Sequence, residues 1–260
     1  MGLNLAKLGK FMKERKENAM KVAPKVVFLI RDTEGFASAI SDAFLPNSST
    51  SLRRLEDSFE LSLEGYGIRD HKASGNIVHY VDDKGCYQVS VLLLQNYEPP
   101  VLACAINEVL AKIMGDKASS TPTLLAPFVL ASSKLKWGSK SLSTNDRKVS
   151  VYGIQSGKET DITHGLITIT EKPPSSLQIH HESLACFLHF VRVLKFPTYV
   201  LIGQRGQRSS DKSHEELEIL YEIGKILADA TSLQFITERI TWNPTMTSRE
   251  NEKPWRALYG

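Results

Sequence analysis

Two continuous apolar runs constrain the fold of this chain more than any other feature. Residues 26–30 are entirely β-branched, aliphatic or aromatic, and residues 198–202 have a similar composition far along the chain. A strand without a polar face is typical of a sheet covered on both sides, where neither face meets water. Such sheets are mostly parallel, because antiparallel sheets commonly leave one face solvated. The runs therefore predict a single α/β domain with a largely parallel mixed sheet covered by helices on both faces.

The chain between and beyond these runs alternates between strand-like and helix-like patterns. Further strands are predicted over 77–81, 86–94, 124–131, 149–154 and 166–170. Helices are predicted over 36–44, 101–114 and 181–195, and after the capping box Ser213-His214-Glu215-Glu216, with Leu217, Leu220, Ile223 and Leu227 forming one stripe. The helix over 181–195 has apolar residues around most of its circumference, which predicts a buried helix. Segment 52–66 fits both a strand and a helix and stays open.

Composition limits the functions that the chain can have. A length of 260 residues with 42% hydrophobic residues allows one large core. The net charge of +3 gives no strong field for nucleic acid or anionic lipid. No apolar run approaches the roughly 18 residues of a membrane-spanning helix, and the N-terminus lacks a secretory signal. We therefore expect neither nucleic-acid binding nor stable membrane insertion.

The cysteines argue against a covalent or metal-bound framework. Cys86, Cys104 and Cys186 are odd in number and form no CxxC pair. A disulfide or zinc framework is not expected from such a set, and a reducing compartment fits it best.

The two ends of the chain differ from the predicted domain over 22–241. Residues 1–21 form a basic arm with a thin apolar stripe of Leu5, Leu8, Phe11 and Met12. A surface helix or disordered arm explains it; a membrane-surface or targeting helix is the alternative, which Glu14 and Glu17 disfavour. Residues 242–260 are predicted to be a flexible tail, because the segment up to Pro254 is polar and rich in turn residues.

A search for catalytic or metal-binding chemistry finds only weak patterns. His180-His181-Glu182 is not the start of HExxH, because Leu184 and Ala185 stand where a second histidine would be needed. His181, Glu182, Cys186 and His189 could crowd one helix, but a helix start with partly buried polar residues is the simpler explanation and is favoured over a metal site. We predict no catalytic residue, no metal and no cofactor.

One loop supports an alternative function. Gly203-Gln204-Arg205-Gly206 follows a buried strand, where α/β proteins place ligand loops, and Arg208 and Lys212 add positive charge. The loop lacks both common glycine-rich phosphate motifs, and no aromatic residue interleaves with its charges for RNA stacking. A solvated loop is favoured; the alternative is an α/β enzyme or ligand-binding protein with its site at 203–208.

The sequence ends in an unusual tripeptide. After Trp255, Arg256 and Ala257 come Leu258, Tyr259 and Gly260. An apolar residue and a tyrosine followed by a glycine carboxylate suit a receptor that captures a C-terminal carboxylate. The alternative is that Leu258 and Tyr259 pack on their own domain.

These features follow the pattern of a known family. The order is a strand, Glu171-Lys172-Pro173-Pro174, an apolar helix with Ala185 and Phe190-Val191, Phe196-Pro197-Thr198-Tyr199-Val200 and a second helix. Together with the earlier strand over 26–30, the predicted hairpin over 77–94 and the helix over 101–114, this pattern resembles the proteasome assembly chaperone 1 family over most of 25–260. The tail matches the hydrophobic-tyrosine-any-residue motif of proteins that dock into the proteasome alpha ring.

The resemblance implies a binding protein rather than an enzyme. Members pair with a related chaperone, here a proteasome assembly chaperone 2-like protein, and sit on the alpha ring of the 20S core particle during its assembly. It implies that Leu258 fills an apolar pocket between alpha subunits, that Tyr259 packs and hydrogen-bonds there, and that the Gly260 carboxylate pairs with a lysine. Trp255 and Arg256 are candidate rim contacts. The implied location is the cytoplasm and also the nucleus.

Overall fold

The fold was analysed in a computed structural model, which describes residues 19–115, 121–136, 150–205 and 212–240. The strands are β1 Lys25–Ile30, β2 Phe44–Pro46, β3 Arg53–Ser62, β4 Lys72–Val81, β5 Tyr87–Leu94, β6 Thr123–Ala131, β7 Leu135–Lys136, β8 Val151–Ser156, β9 Gln178–Ile179, β10 Thr198–Arg205 and β11 Leu233–Phe235. The helices are α1 Phe36–Ala43, α2 Val101–Met114, α3 Asp161–Ile169, α4 Glu182–Val193 and α5 Lys212–Thr231. Short 3-10 helices cover Glu64–Tyr66, Ser132–Lys134 and Thr237–Arg239.

A seven-stranded mixed sheet organises the domain. Its strand order is β3-β4-β5-β1-β6-β10-β8. The four central strands β5, β1, β6 and β10 are parallel, whereas β3, β4 and β8 join antiparallel at the edges. The buried composition of β1 and β10 correctly predicted central strands, because both faces of each are covered.

Alternate residues of each central strand enter two separate cores. Val26, Phe28 and Ile30 of β1 face the core beneath α2 and α4, whereas Val27 and Leu29 face the core beneath α1, α3 and α5. The period of two along a strand explains this division. The predicted α/β domain with helices on both faces is confirmed.

Segment 166–170 was predicted to be a strand, and this prediction is wrong: helix α3 covers most of it. Thr160 caps the helix, its Oγ1 accepting from the Thr163 amide at 3.3 Å while the Thr163 hydroxyl accepts from the Thr160 amide at 2.8 Å. Within 166–170 only Leu166 is buried, while Ile167 and Ile169 are exposed. The apolar residues of this segment therefore do not form a strand that is buried on both faces. They are one buried side chain and two exposed side chains on a helix.

Two further helix predictions need correction. Helix α4 is not buried around most of its circumference: Leu184, Phe187, Leu188 and Val191 are buried, but Val193 is 61% exposed. The helix lies in the outer layer, so only the side against the sheet is covered. Leu217 of α5 was predicted to lie in the buried stripe but is exposed, whereas the neighbouring Ile219 is fully buried.

Segment 52–66, left open by its pattern, is strand β3 followed by a 3-10 helix. The strand pairs over ten residues with β4 at the edge of the sheet, and most of its side chains are exposed. Because both faces of β3 are exposed, its sequence follows neither the two-residue period of a half-buried strand nor the 3.6-residue period of a helix.

A second, two-stranded sheet holds the end of the described chain against its beginning. Strand β11 pairs antiparallel with β2, with Phe235 opposite Phe44. The two rings meet edge to face at a centroid distance of 5.5 Å. Phe235 also lies directly over Gly224 of α5, where any Cβ would collide with its ring. The segment before Ile240 is thus fixed to the body of the domain.

Candidate functional site

A cleft of about 800 Å³ opens outside the carboxyl ends of the parallel strands. The ends of β1, β6 and β10, the segment after β5 and the start of α4 contribute its walls. Open α/β sheets bind ligands at this position. Its floor includes Ile30, Leu102 and Phe128, and its rim is charged.

The turn after β1 is held by Asp32. Its Oδ1 accepts from the Glu34 and Phe36 amides, each at 3.0 Å, and its Oδ2 accepts from the Ala37 amide at 2.8 Å. The Phe36 and Ala37 amides are unpaired donors at the start of α1, whereas the Glu34 amide belongs to the turn before it. The Asp32 carboxylate is therefore engaged in building the turn, which includes Gly35 at φ 83°.

Arg205, at the end of β10, forms a charged cluster with two glutamates. Its Nη2 donates to both Glu34 carboxylate oxygens at 2.7 and 2.8 Å, and its Nη1 donates to Glu216 at 2.8 Å. The guanidinium also lies 5.2 Å from the centre of the Phe36 ring. The cluster ties β10, the β1–α1 turn and helix α5 together. Hydrogen bonds to charged partners outweigh the effect of burial and raise the pKa of Arg205.

His181 caps helix α4 at the opposite wall. Its Nδ1 accepts from the Leu184 amide at 3.3 Å, and its ring meets Phe128 edge to face at 6.1 Å. Burial lowers the pKa of His181 to about 4, assisted by Lys134 and Arg205 and opposed by Asp32. The imidazole is therefore neutral at pH 7, as an N-cap acceptor must be.

The His181 cap predicts a pH-dependent stability. The folded pKa of about 4 lies below the unfolded value of 6.5, so protonation favours the unfolded chain. Its stabilising contribution is complete above pH 6.5 and is lost as the pH falls towards 4, at up to about 1.4 kcal/mol per pH unit. Urea unfolding between pH 7 and 5 should show a steeper decline for the unchanged protein than for His181→Asn, which keeps a capping side chain without titrating.

The matched control for this prediction is His164→Asn, at an exposed histidine paired with Glu159. That variant should retain the pH slope of the unchanged protein. Equal slopes for the unchanged protein and His181→Asn would contradict the assignment.

The residues singled out in the sequence are only partly brought together. His180, His181, Glu182 and Arg205 line one cleft, whereas Cys186 and His189 do not line it. Gly203 does not form a ligand loop; it lies under α5, where any Cβ would collide with Ile219. Within the described ranges, no group of three histidine, cysteine or acidic residues could hold a metal ion. The described part of the chain also contains no helix both long and apolar enough to span a membrane.

Several predicted residues lie outside the described residues. These are most of the arm over 1–21, Gly206 to Arg208 of the alternative loop, and the tail with Trp255, Arg256, Leu258, Tyr259 and Gly260.

Sequence reasoning missed the cationic groups of the cleft. Arg31 lines it directly after β1, and Lys134 and Lys136 line it beyond β6. Their position after a buried parallel strand was the available signal, because the carboxyl ends of such strands meet at one edge of the sheet.

One protein-family model matches most of the chain. A family model described as a domain of unknown function, DUF7894, matches residues 20–260. The chain belongs to the DUF7894 family. The match covers all the described elements of this DUF7894 domain and continues through the C-terminal tail. No curated protein matches the sequence.

Solved structures with a similar arrangement have diverse descriptions. Pyrococcus furiosus PbaB, an archaeal proteasome activator, is 8% identical at a TM-score of 0.47, covering 85% of the DUF7894 chain and 89% of PbaB. Pyrococcus furiosus PbaA, an archaeal homolog of proteasome-assembly chaperone, is 12% identical at 0.41, covering 81% and 82%. Arabidopsis thaliana 5'-methylthioadenosine nucleosidase is 12% identical at 0.37, covering 82% and 94%. Similarity at this level supports no conclusion about function.

Proposed function

We propose that this DUF7894 protein is an assembly chaperone for the 20S proteasome. It acts as a heterodimer with a proteasome assembly chaperone 2-like protein, in the cytoplasm and nucleus. Its tail enters a pocket between alpha subunits and promotes formation of the alpha ring. The terminal sequence Leu258-Tyr259-Gly260 carries this proposal. The function is one of protein binding, without a catalytic step.

The chemistry of the tripeptide suits a narrow pocket. Burying an apolar side chain such as Leu258 contributes roughly 1.5–3 kcal/mol. The tyrosine ring adds apolar area, and its hydroxyl needs a hydrogen-bond partner once buried. The Gly260 carboxylate brings a fixed negative charge with no side chain around it, and a hydrogen bond to a charged group contributes roughly 1.5–3 kcal/mol.

The position of the tail root also supports the proposal. Strands β2 and β11 fix the chain just before Ile240, and twenty residues follow this point. Fully extended, a segment of that length reaches at most about 70 Å. The folded domain can therefore rest on a ring surface while the last three residues enter a pocket some distance away.

A single tail should bind weakly, because ordering the connecting residues opposes the contacts of the last three. Two tails on one heterodimer bind more tightly, since the second docks at a high effective concentration. Pairing requires an exposed surface with apolar side chains. Helices α3 and α5 contact each other and expose Ile167, Ile169, Leu217 and Tyr221, which suits such a contact.

The proposal predicts that the tail is required for alpha-ring binding. Purified alpha-ring intermediates should retain the full chain, best with the partner chaperone present, while a chain ending at Ala257 should bind at least tenfold more weakly. Tyr259→Ala should lose binding to a similar degree, and one alanine added after Gly260 should weaken it by displacing the carboxylate. Thr247→Ala, in the same tail, is the matched control and should bind normally. Binding that survives removal of the last three residues would refute tail docking.

A further inference from the structure

Four acids and four cations line the cleft, but the two sets are only partly paired with each other. The acids that line it are Asp32, Glu34, Glu98 and Glu182. Asp32 receives three backbone amides, and Glu34 holds Arg205. Glu98 has a partner of its own, and Glu182 lies in the first turn of α4, where the helix dipole favours a negative charge.

Arg31 is one of three cations in the lining that have no counterpart among the described residues. It lines the cleft and is only partly exposed, and its side chain makes no hydrogen bond or ion pair with any described residue. Its Nε is fully buried and has no hydrogen-bond partner among the described residues. A buried donor without an acceptor costs about 1–3 kcal/mol, so the position favours an acceptor from outside the domain.

Other groups around Arg31 complete a binding surface. Lys134 and Lys136 line the same cleft, and their ammonium groups form no ion pair with a described residue. The pKa of His181 responds to the charge of Lys134, so that ammonium lies near the His181 wall. Ile30, Leu102 and Phe128 add small patches of apolar surface to a lining that is otherwise largely polar. The volume of about 800 Å³ lies within the range of small-molecule sites.

We propose that this cleft binds a small organic anion. A carboxylate or phosphate group accepts from the Arg31 guanidinium, which presents paired donors to a planar or tetrahedral oxyanion. Lys134 supplies a second positive charge, and the carbon skeleton of the ligand lies against Phe128 and Leu102. The site is independent of tail docking and gives the DUF7894 domain a second binding activity.

Calorimetric titration of the full chain tests the proposal. The probes are benzoate, phenyl phosphate, inorganic phosphate and neutral benzyl alcohol. At least one aromatic anion should saturate with a dissociation constant of about 1 mM or below. Benzyl alcohol should not bind, and inorganic phosphate should bind more weakly than phenyl phosphate because it has no ring. If only one of benzoate and phenyl phosphate binds, that result identifies the preferred acidic group. If neither of them shows saturable binding, the proposal is overturned.

Variants locate the site. Arg31→Gln should weaken binding of the anion at least tenfold. Lys84→Gln removes one positive charge at the β4–β5 turn, at the opposite end of the sheet, and should leave binding unchanged. Equal binding by Arg31→Gln and the unchanged protein overturns the assignment. If circular dichroism shows that Arg31→Gln does not fold, Lys134→Gln decides, with at least a threefold loss expected. A chain ending at Ala257 should bind the anion normally, which separates this result from that for the tail.

Discussion

Replacing Gly157 by alanine is expected to destabilise the domain by about 3 kcal/mol. Gly157 follows β8 with φ at 73°, where an L-residue costs about 1–2 kcal/mol. A Cβ there would also collide with the backbone carbonyl of Phe196, which ends the turn before β10. The two residues lie just beyond the last pair of the β8–β10 ladder, Ser156 with Thr198, which keeps their backbones close together. Overpacking of this kind adds about 1–3 kcal/mol.

Urea unfolding of Gly157→Ala measures the effect, and the midpoint of thermal unfolding should fall by roughly 6–12 °C. Gly165→Ala is the matched control. Gly165 lies within helix α3, and a Cβ there would have nothing within 4 Å. Since glycine is less favourable than alanine in a helix by about 0.5–1 kcal/mol, this variant should be more stable than the unchanged protein. Equal stabilities for the two variants would show that the turn at Gly157 is not constrained.

Replacing Arg205 by methionine is also expected to cost about 3 kcal/mol. The substitution leaves Glu34 and Glu216 without their shared cation, and the Glu216 side chain is only 12% exposed. Removing one member of a buried ion pair typically costs about 3–5 kcal/mol, because the remaining charge is uncompensated. We expect the lower end of that range because the Glu34 side chain is 35% exposed.

Two variants isolate the contribution of this cluster. Arg205→Lys keeps the charge but loses the fork that reaches both glutamates, so it should fall between the methionine variant and the unchanged protein. Lys72→Met breaks an exposed pair with Glu60 and should produce no measurable change in urea unfolding. If Arg205→Met were as stable as Lys72→Met, we would conclude that water, and not Arg205, solvates the two carboxylates.

The central sheet could be predicted because its strands have one environment on both faces. The run in β1 is apolar throughout and the run in β10 is apolar after Thr198, and helix α2 was predicted with its observed bounds because proline and glycine mark its two ends. Helix α3 was missed because its cap pairs two threonines, whereas the familiar capping signal places an acid or amide at the third position. The sequence of strand β3 fitted both a strand and a helix, because an exposed edge strand needs no regular alternation of buried and exposed residues.

The sequence predicted where the cleft lies, but not which of its charged residues are paired. The rule that ligands bind at the carboxyl ends of parallel strands pointed to Arg205, but Arg205 is neutralised by Glu34 from a turn far away in the sequence. The position of Arg31 after a buried strand could be read from the sequence, but its lack of a partner could not, because that depends on where Asp32 and Glu34 place their carboxylates. Pairing of charges is a property of the folded arrangement and cannot be read from composition.

The small sheet of β2 and β11 constrains when folding can finish. Its two strands lie far apart along the described chain, and β11 follows α5 in the sequence. Contacts between such distant segments form slowly, because a long loop must close first. During synthesis, the pairing of β2 with β11 therefore has to wait until β11 has left the ribosome. The C-terminal segment is therefore attached at a fixed point only once the rest of the domain has folded.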